Sequence, residues 1–285
     1  MPTDKRLRQR EGRQARMEEL RLAQQQARKR RQYLAMGGVV VVLVGAFFLF
    51  RNHGSSKKKV STTATTVGAG ATTTAPAGTA TTAPPVTVPV IAAPANVGCP
   101  NLDGSSPHYT KFSAAPSTCI DPAKTYTATL QTDVGNIVVK LDQKKAPKTA
   151  NNFVFLTGYH FFDGIAFHRV LPGFVDQAGD PTGTGSGGPG YSFADELPQP
   201  ADYKAGSLAM ANSGPDTNGS QFFILVSDQA GQQLVQAVGG KASYSLFGQV
   251  TTGLDVVQKI NDDGAADPSP PKVVHKIVKA TIAVS

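Results

Sequence analysis

The sequence contains no tryptophan, only two cysteines and only five histidines among its 285 residues. Two cysteines are too few for a four-cysteine zinc site, and the histidines are dispersed without the spacing of metal ligands. The Gly-rich stretch GDPTGTGSGGPG at 179–190 lacks the GK[ST] ending of a phosphate-binding loop. The sequence also lacks the G-x-S-x-G motif of serine hydrolases. We therefore expect no metal, no nucleotide and no other cofactor.

Basic charge is unevenly distributed along the chain. Residues 1–60 carry fifteen Lys or Arg against four Asp or Glu, whereas residues 121–285 carry twelve against fifteen. Nucleic-acid binding requires basic charge on a folded face, but here the charge lies in a tail beside an apolar run. The formal net charge of +8 comes from this tail, whose position beside an apolar run favours a membrane orientation signal, and we expect no nucleic-acid partner.

The apolar run LAMGGVVVVLVGAFFLF at 34–50 has 17 residues without charge, near the lower limit for a membrane-spanning helix. Eleven Lys or Arg precede it, which predicts a cytoplasmic N-terminus and an extracytoplasmic remainder. A cleaved signal peptide is the alternative, but the basic region is long and no A-x-A site directly follows the run. We predict a single-pass cell-membrane protein with a basic tail at 1–33. This tail is either a solvated, charged helix or an amphipathic segment that lies on anionic lipid.

The segment after the run is predicted to be a linker. Residues 51–97 are rich in Thr, Ala and Pro and cannot bury a core, which is typical of disordered spacers. Cys99 and Cys119 follow, and outside the membrane their simplest interpretation is one structural disulfide that closes a lead-in segment at 98–123. A metal site would need more ligands than these two residues and His108, and lipidation of Cys99 would need an apolar run directly before it.

A folded domain is predicted at 124–285. Alternating residues at 125–132 and 136–142 predict a hairpin, and short strands are indicated at 165–171, 206–211, 220–226, 244–250 and 272–284. The period changes after Pro147, where an apolar face predicts a helix that ends at Gly158, and a second short helix is indicated at 253–262. Many short strands with two helices favour a mainly-β fold, a barrel capped by helices.

Three segments carry the chemistry: FHRVLPGFVDQAGD at 167–180, GSLAMANSGPDTNGSQFFI at 206–224 and YSLFGQV at 244–250. The first places a single guanidinium, that of Arg169, among apolar residues without a Ser, Cys or Lys nucleophile. Together with KKAPKTANNF at 144–153 and the Gly-rich stretch, these segments resemble the signature segments of cyclophilin-type peptidyl-prolyl cis-trans isomerases over about residues 124–284. The N-terminal arrangement is similar to that of membrane-anchored cyclophilins of Gram-positive bacteria.

The resemblance implies a closed eight-stranded antiparallel β-barrel capped by two short helices. It implies catalysis by Arg169, supported by Phe174 and Gln177. The substrate-binding residues that it implies are Val175, Ala211, Asn212, Gln221, Phe222, Phe223, Tyr244 and Leu246. The implied function is rotation of X-Pro bonds in secreted or cell-wall proteins, and the implied partners are proline-containing polypeptides. The alternative is a binding module that holds proline-containing segments without useful turnover.

The sequence departs from the family pattern at three places. Val175 stands where the family commonly has Met, and Tyr244 stands where a His is frequent. The Trp that many members place beside the pocket is missing, and its place falls within 232–243, where an insertion makes the alignment ambiguous. Because ring contacts each contribute about 1 kcal/mol, we expect weak binding of cyclosporin.

Overall fold

The computed structural model describes residues 85–267 and 269–285. The predicted basic tail, the apolar run at 34–50 and residues 51–84 of the linker lie outside these ranges. In the two described ranges, every helix is too short or too polar to cross a membrane.

Eight strands form one antiparallel sheet in the order β3-β4-β6-β5-β7-β2-β1-β8. They are β1 (Tyr126–Thr132), β2 (Gly135–Leu141), β3 (Arg169–Leu171), β4 (Val175–Ala178), β5 (Ser207–Met210), β6 (Phe222–Leu225), β7 (Leu246–Thr252) and β8 (Ile277–Val284). The predicted hairpin is confirmed, since β1 pairs with β2 in antiparallel register. The sequence did not indicate β4, because its four residues, VDQA, give no sustained alternation.

The two ends of the sheet meet without a continuous ladder. Ala166 and Lys276 form an isolated antiparallel bridge between the segments that precede β3 and β8. Backbone hydrogen bonds flank it, from Gly164 N–H to the Ile277 carbonyl and from Phe167 N–H to the His275 carbonyl. The predicted strand number and antiparallel pairing are confirmed. The predicted closed barrel is corrected to a curled, incompletely closed sheet, because only this bridge and the hydrogen bonds beside it join its two ends.

The described ranges contain three α-helices, whereas the sequence predicted two. They are α1 (Pro147–Gly158), α2 (Asp228–Ala237) and α3 (Leu254–Asp262), and a 3-10 turn covers Pro200–Asp202. The helix that the prediction lacked, α2, begins after Ser227, whose hydroxyl accepts a hydrogen bond from Ala230 N–H at 3.1 Å. The apparent insertion at 232–243 is therefore the second half of α2 and the turn that follows it.

The lead-in segment lies against the domain. Cys99 and Cys119 form the predicted disulfide, with a Cα–Cα distance of 5.4 Å. Contacts with the domain begin before it, because Val88 N–H donates to the Pro181 carbonyl at 2.8 Å. Ala92 also bridges Lys111 in parallel. The predicted linker boundary at residue 97 is therefore too late: Ile91 and its neighbours pair through backbone groups with the segment around Thr110, which composition alone does not reveal.

Aromatic side chains fill the centre of the domain. Phe153 of α1 packs against Phe162 and Phe222, with ring centroids 4.9 and 5.6 Å apart. Phe247 of β7 completes this cluster at 5.3 Å from Phe153. All four rings are buried, so α1 is fixed to the interior face of β6 and β7.

Candidate functional site

One row of side chains crosses five strands of the sheet. Directly paired residues of an antiparallel sheet point to the same face. The register pairs Arg169 with Gln177, Gln177 with Phe223, Phe223 with Ala209, and Ala209 with Leu246. The row therefore places a guanidinium, an amide, a ring and two aliphatic groups side by side on one face. We call this the site row.

The Arg169 guanidinium has partners on two sides. Its Nη1 donates to the side-chain oxygen of Gln177 at 3.2 Å. On the other side it meets Asp267, with Nη2 2.6 Å and Nε 3.0 Å from Oδ2 of that carboxylate. About a third of the Arg169 side chain stays exposed, so a ligand can reach it.

A chain of amides continues from Arg169 across the sheet. Gln177 Nε2 donates to Oε1 of Gln221 at 2.9 Å. Gln221 Nε2 in turn donates to the carbonyls of Gly185 and Gly187, both at 2.9 Å. Carbonyls of the Gly-rich stretch therefore accept the last hydrogen bonds of this chain of amides. The structure brings Gln177 and Gln221, two of the predicted site residues, into direct contact.

Apolar side chains border the same face. Phe223 meets the Tyr244 ring edge-on, with centroids 5.4 Å apart. Val175 is paired with Leu225 two residues before Gln177 on β4, so it shares the face of the site row. Phe174 directly precedes Val175 and is 8% exposed at the turn between β3 and β4. Val175, Phe223, Tyr244 and Leu246 thus form an apolar border along the site row, and Phe174 lies at the turn that leads into it.

Phe222 is the predicted site residue that the structure separates from the rest. It pairs with Ala178 and Met210, on the face opposite to Phe223. Its ring is fully buried against Phe153 and Phe162. Two adjacent phenylalanines in one strand must point to opposite faces, and only Phe223 shares the site row. The prediction that Phe222 binds substrate is therefore corrected.

Ala211 and Asn212 follow directly after β5. Ala211 N–H donates to the Gln221 carbonyl at 2.9 Å, which holds this segment beside β6. The Asn212 side chain donates to the Ser243 carbonyl at 2.9 Å and so ties the segment to the stretch before Tyr244. Within the described ranges, no backbone hydrogen bond uses the main-chain groups of Asn212, which leaves them available to a peptide.

Two ionisable groups next to the site row have shifted pKa values. Burial lowers the pKa of His168, so its imidazole is neutral at pH 7, and both of its ring nitrogens lack a hydrogen-bond partner among the described residues. Burial raises the pKa of Tyr244, and the nearby positive charge of Arg169 only partly offsets this. Neither group is a charged acid or base at neutral pH. In the described ranges, no cluster of His, Cys, Asp and Glu is suited to a metal ion.

Sequence reasoning missed Asp267. It lies 98 residues after Arg169, in a loop between α3 and β8 that has no strand or helix pattern. Its neighbours, AADPSPP, indicate only a turn-rich loop. No local signal could have assigned this carboxylate to the site.

Comparison with known proteins identifies the family. Residues 127–282 match the family model described as cyclophilin type peptidyl-prolyl cis-trans isomerase/CLD. The chain belongs to the cyclophilin-type peptidyl-prolyl cis-trans isomerases. The match covers more than half of the chain and includes every residue of the site row.

Several relatives of this cyclophilin are named peptidyl-prolyl cis-trans isomerases. It is 41% identical over 177 residues to peptidyl-prolyl cis-trans isomerase A of Mycobacterium tuberculosis, covering 55% of this chain and 93% of the relative. It is 42% identical over 158 residues to peptidyl-prolyl cis-trans isomerase ppi1 of Schizosaccharomyces pombe, covering 53% of this chain and 95% of the relative. A crystal structure of a Cryptosporidium parvum cyclophilin matches with a TM-score of 0.50 at 30% identity, covering 56% of this chain and 98% of that chain. The cyclophilin described here is thus a peptidyl-prolyl cis-trans isomerase.

Proposed function

We propose that Arg169 accelerates X-Pro rotation by donating a hydrogen bond to the prolyl nitrogen as the amide twists. The rotation barrier is about 18–20 kcal/mol because resonance gives the C–N bond partial double-bond character. In the twisted state the nitrogen becomes pyramidal and its lone pair can accept a hydrogen bond. A donor that meets this lone pair stabilises the transition state more than the planar ground state, which is the requirement for catalysis. The reaction needs no nucleophile and no proton transfer.

The observation that carries this proposal is the position of Arg169 in the site row. Its guanidinium is permanently charged and has five N–H groups. Contacts with Asp267 and Gln177 use the Nε–H, one N–H of Nη1 and one of Nη2. One N–H on each Nη therefore has no partner among the described residues, and these two are the donors that we assign to the substrate.

The apolar border supplies a place for the proline ring. We assign Phe174, Val175, Phe223 and Leu246 to this pocket, with Tyr244 at its edge. The main chain of Asn212, beside Ala211, would bind the extended peptide. Gln177 would bind the peptide carbonyl while it supports Arg169, and Gln221 would fix the amide of Gln177. An apolar pocket with a few aimed polar groups is the usual form of a small recognition site.

Val175 makes this pocket shallower than one with the Met common in the family. The side chain of Val is smaller than that of Met, and the chain contains no Trp that could cover the ring. Each lost ring contact reduces affinity by about 1 kcal/mol. We therefore propose that cyclosporin binds weakly.

We further propose that the isomerase acts outside the cell membrane on secreted or cell-wall proteins. The uncharged run at 34–50, with eleven basic residues before it, supports an anchor with a cytoplasmic N-terminus. The Cys99–Cys119 disulfide supports an oxidising compartment for the domain. Uncatalysed X-Pro rotation takes roughly 10–100 s, so proteins that fold after export would benefit from a tethered catalyst.

The mechanism is tested with the full-length protein in detergent micelles, using NMR exchange on a short Ala-Pro peptide. Arg169→Ala should lower kcat/KM by roughly 10²–10³-fold, the usual cost of removing a transition-state donor. Lys140→Ala, which removes an exposed cation of β2, is the matched control and should leave the rate unchanged. An unchanged rate in a folded Arg169→Ala variant would refute the mechanism.

Protease protection in intact cells tests the topology: a domain that resists external protease until the membrane is broken would contradict it.

A further inference from the structure

The carboxylate of Asp267 holds one edge of the Arg169 guanidinium. Its Oδ2 accepts from Nη2 at 2.6 Å and from Nε at 3.0 Å, and its Oδ1 lies 3.2 Å from Nε. Gln177 holds Nη1 from another direction. A planar guanidinium whose three nitrogens all make contacts can rotate little about the terminal bonds of the arginine side chain. The two contacts therefore fix the plane of the guanidinium.

The fold delivers Asp267 to this place through backbone contacts with β3. Ala265 N–H donates to the carbonyl of Val170, the residue after Arg169, at 3.1 Å. Gly264 makes this approach possible, because a Cβ at that position would lie 2.6 Å from the same carbonyl oxygen. Lys272 N–H donates to the Asp263 carbonyl at 2.7 Å and closes the base of the loop. The loop is thus fixed to the strand that carries Arg169.

A carboxylate beside a catalytic guanidinium has two opposite effects. It weakens the positive field at the substrate, and it fixes the direction of the remaining N–H groups. Amide rotation develops no net charge, because the twisted amide exchanges conjugation for a lone pair on nitrogen. The transition state therefore needs a directed hydrogen bond more than it needs a strong positive field. Orientation outweighs the loss of charge for this reaction.

We propose that Asp267 is a positioning residue, which orients the unpartnered N–H groups of Arg169 so that one of them meets the lone pair of the prolyl nitrogen. This inference rests on the proposed role of Arg169 and adds a requirement to it. Asp267 does not touch the substrate; it acts through the guanidinium alone.

The test compares Asp267→Ala, Asp267→Asn and Asp267→Glu with wild type in the full-length protein, measuring kcat and KM separately on an Ala-Pro peptide. Asp267→Ala and Asp267→Asn should lower kcat about tenfold and leave KM within about twofold, because binding through the pocket is intact. Asp267→Glu should recover part of kcat, since it restores a carboxylate. Asp255→Asn is the matched control, because Asp255 is an exposed carboxylate of α3 that pairs only with Lys259 among the described residues.

A second readout separates positioning from a general loss of structure. The Nε–H signal of Arg169 in ¹⁵N NMR, assigned by its absence in Arg169→Lys, should be protected from exchange in wild type and in Asp267→Glu. It should lose that protection in Asp267→Asn. Gly264→Ala keeps the carboxylate and displaces the loop, so it should lower kcat in the same way. Unchanged kcat in both Asp267→Ala and Gly264→Ala would overturn the inference.

Four further outcomes are distinguishable. A higher kcat/KM in Asp267→Ala would overturn the inference and show that the carboxylate obstructs Arg169. In the Arg169→Ala background, adding Asp267→Ala should cause no additional loss; an additional loss would mean that Asp267 acts on its own. If Arg169→Ala alone leaves the activity intact, the proposed mechanism fails, whatever the Asp267 variants show. If Arg169→Ala abolishes activity and the Asp267 variants match wild type, only the positioning role fails.

Discussion

Asn261 of α3 donates a hydrogen bond of 2.7 Å to the buried carboxyl of Asp176 on β4. Asp176 points to the face opposite to its neighbour Gln177, and it joins the strand of the site to the helix beneath it. Asn261 also donates to the Leu171 carbonyl and accepts from Gly173 N–H, so it holds the whole β3–β4 turn. The other oxygen of Asp176, Oδ2, has no partner among the described residues.

Asp176 should make the domain less stable as the pH rises. Burial raises its pKa to about 7, although the Asn261 hydrogen bond opposes this. The unfolded carboxyl titrates near 3.9, so the folded state binds the proton more tightly, and stability falls from about pH 4 to about pH 7. Asp176→Asn mimics the protonated form and should be more stable than wild type at pH 8.5 by on the order of 1–3 kcal/mol.

Urea unfolding at pH 5 and pH 8.5 measures this effect. Near pH 5 the difference between Asp176→Asn and wild type should be much smaller than at pH 8.5. Asp255→Asn, which removes the charge of an exposed carboxylate, is the matched control. A difference that is the same at both pH values would contradict the raised pKa.

His275 should stabilise the fold in a different pH window. Its ring is buried between two carboxylates, with Nδ1 2.9 Å from Asp133 and Nε2 3.0 Å from Asp263. Burial lowers its pKa, but the hydrogen bonds and charges of both carboxylates outweigh burial and raise it. A raised pKa gives a contribution that is complete below about pH 6.5 and is lost as the pH rises through the folded value. His275→Gln should therefore cost about 1–3 kcal/mol near pH 6 and less near pH 9, measured by urea unfolding.

The opposite orientations of Phe222 and Phe223 predict opposite phenotypes. Phe222→Leu removes a ring from the aromatic core and should lower the free energy of unfolding by on the order of 1–2 kcal/mol, with KM nearly unchanged. Phe223→Leu removes the ring beside Tyr244 and should raise KM several-fold. Denaturation and peptide kinetics on the same two variants check both predictions. A larger KM change in Phe222→Leu would reverse the assignment of the two faces.

The disulfide should contribute to stability without contributing to catalysis. It closes a loop with a sequence separation of 20 residues, for which chain entropy predicts about 3 kcal/mol. Cys99→Ser with Cys119→Ser should lower the free energy of unfolding by about that amount and leave kcat/KM unchanged. Wild type treated with a thiol reductant should match the double variant, and equal stability of oxidised and reduced protein would contradict the prediction.

The sequence was most informative where several constraints coincide. The β1–β2 hairpin has alternation and a turn, and α1 has Pro147 at its start and an apolar face, so both were predicted close to their observed bounds. In contrast, β4 has four residues, too few for a period to be visible, and the strand indicated at 165–171 is observed only over its last three residues as β3. The helix α2 was missed because its residues, DQAGQQLVQA, bury only Ala230, Gly231 and Leu234 and give little apolar signal.

The site was predicted only in part, because some of its residues lie in recognisable sequence segments and others are placed by tertiary structure. Arg169, Gln177 and Gln221 lie in segments whose local pattern resembles the family, and the structure brings their side chains together. Resemblance alone could not assign one of two adjacent phenylalanines to the site, because that depends on strand register. Asp267 reaches Arg169 only through the path of a loop, which is a tertiary property that no local pattern contains.

The amide chain beside Arg169 has a fixed sense of donation. Arg169 can only donate, so Gln177 must present its oxygen to it and its nitrogen to Gln221. Gln221 then has only its nitrogen left for the carbonyls of Gly185 and Gly187. Each glutamine is therefore an acceptor on one side and a donor on the other, a role that glutamate cannot fill because an ionised carboxylate only accepts. The guanidinium thus determines how each amide is oriented as far as the Gly-rich stretch, where the last two donors meet backbone.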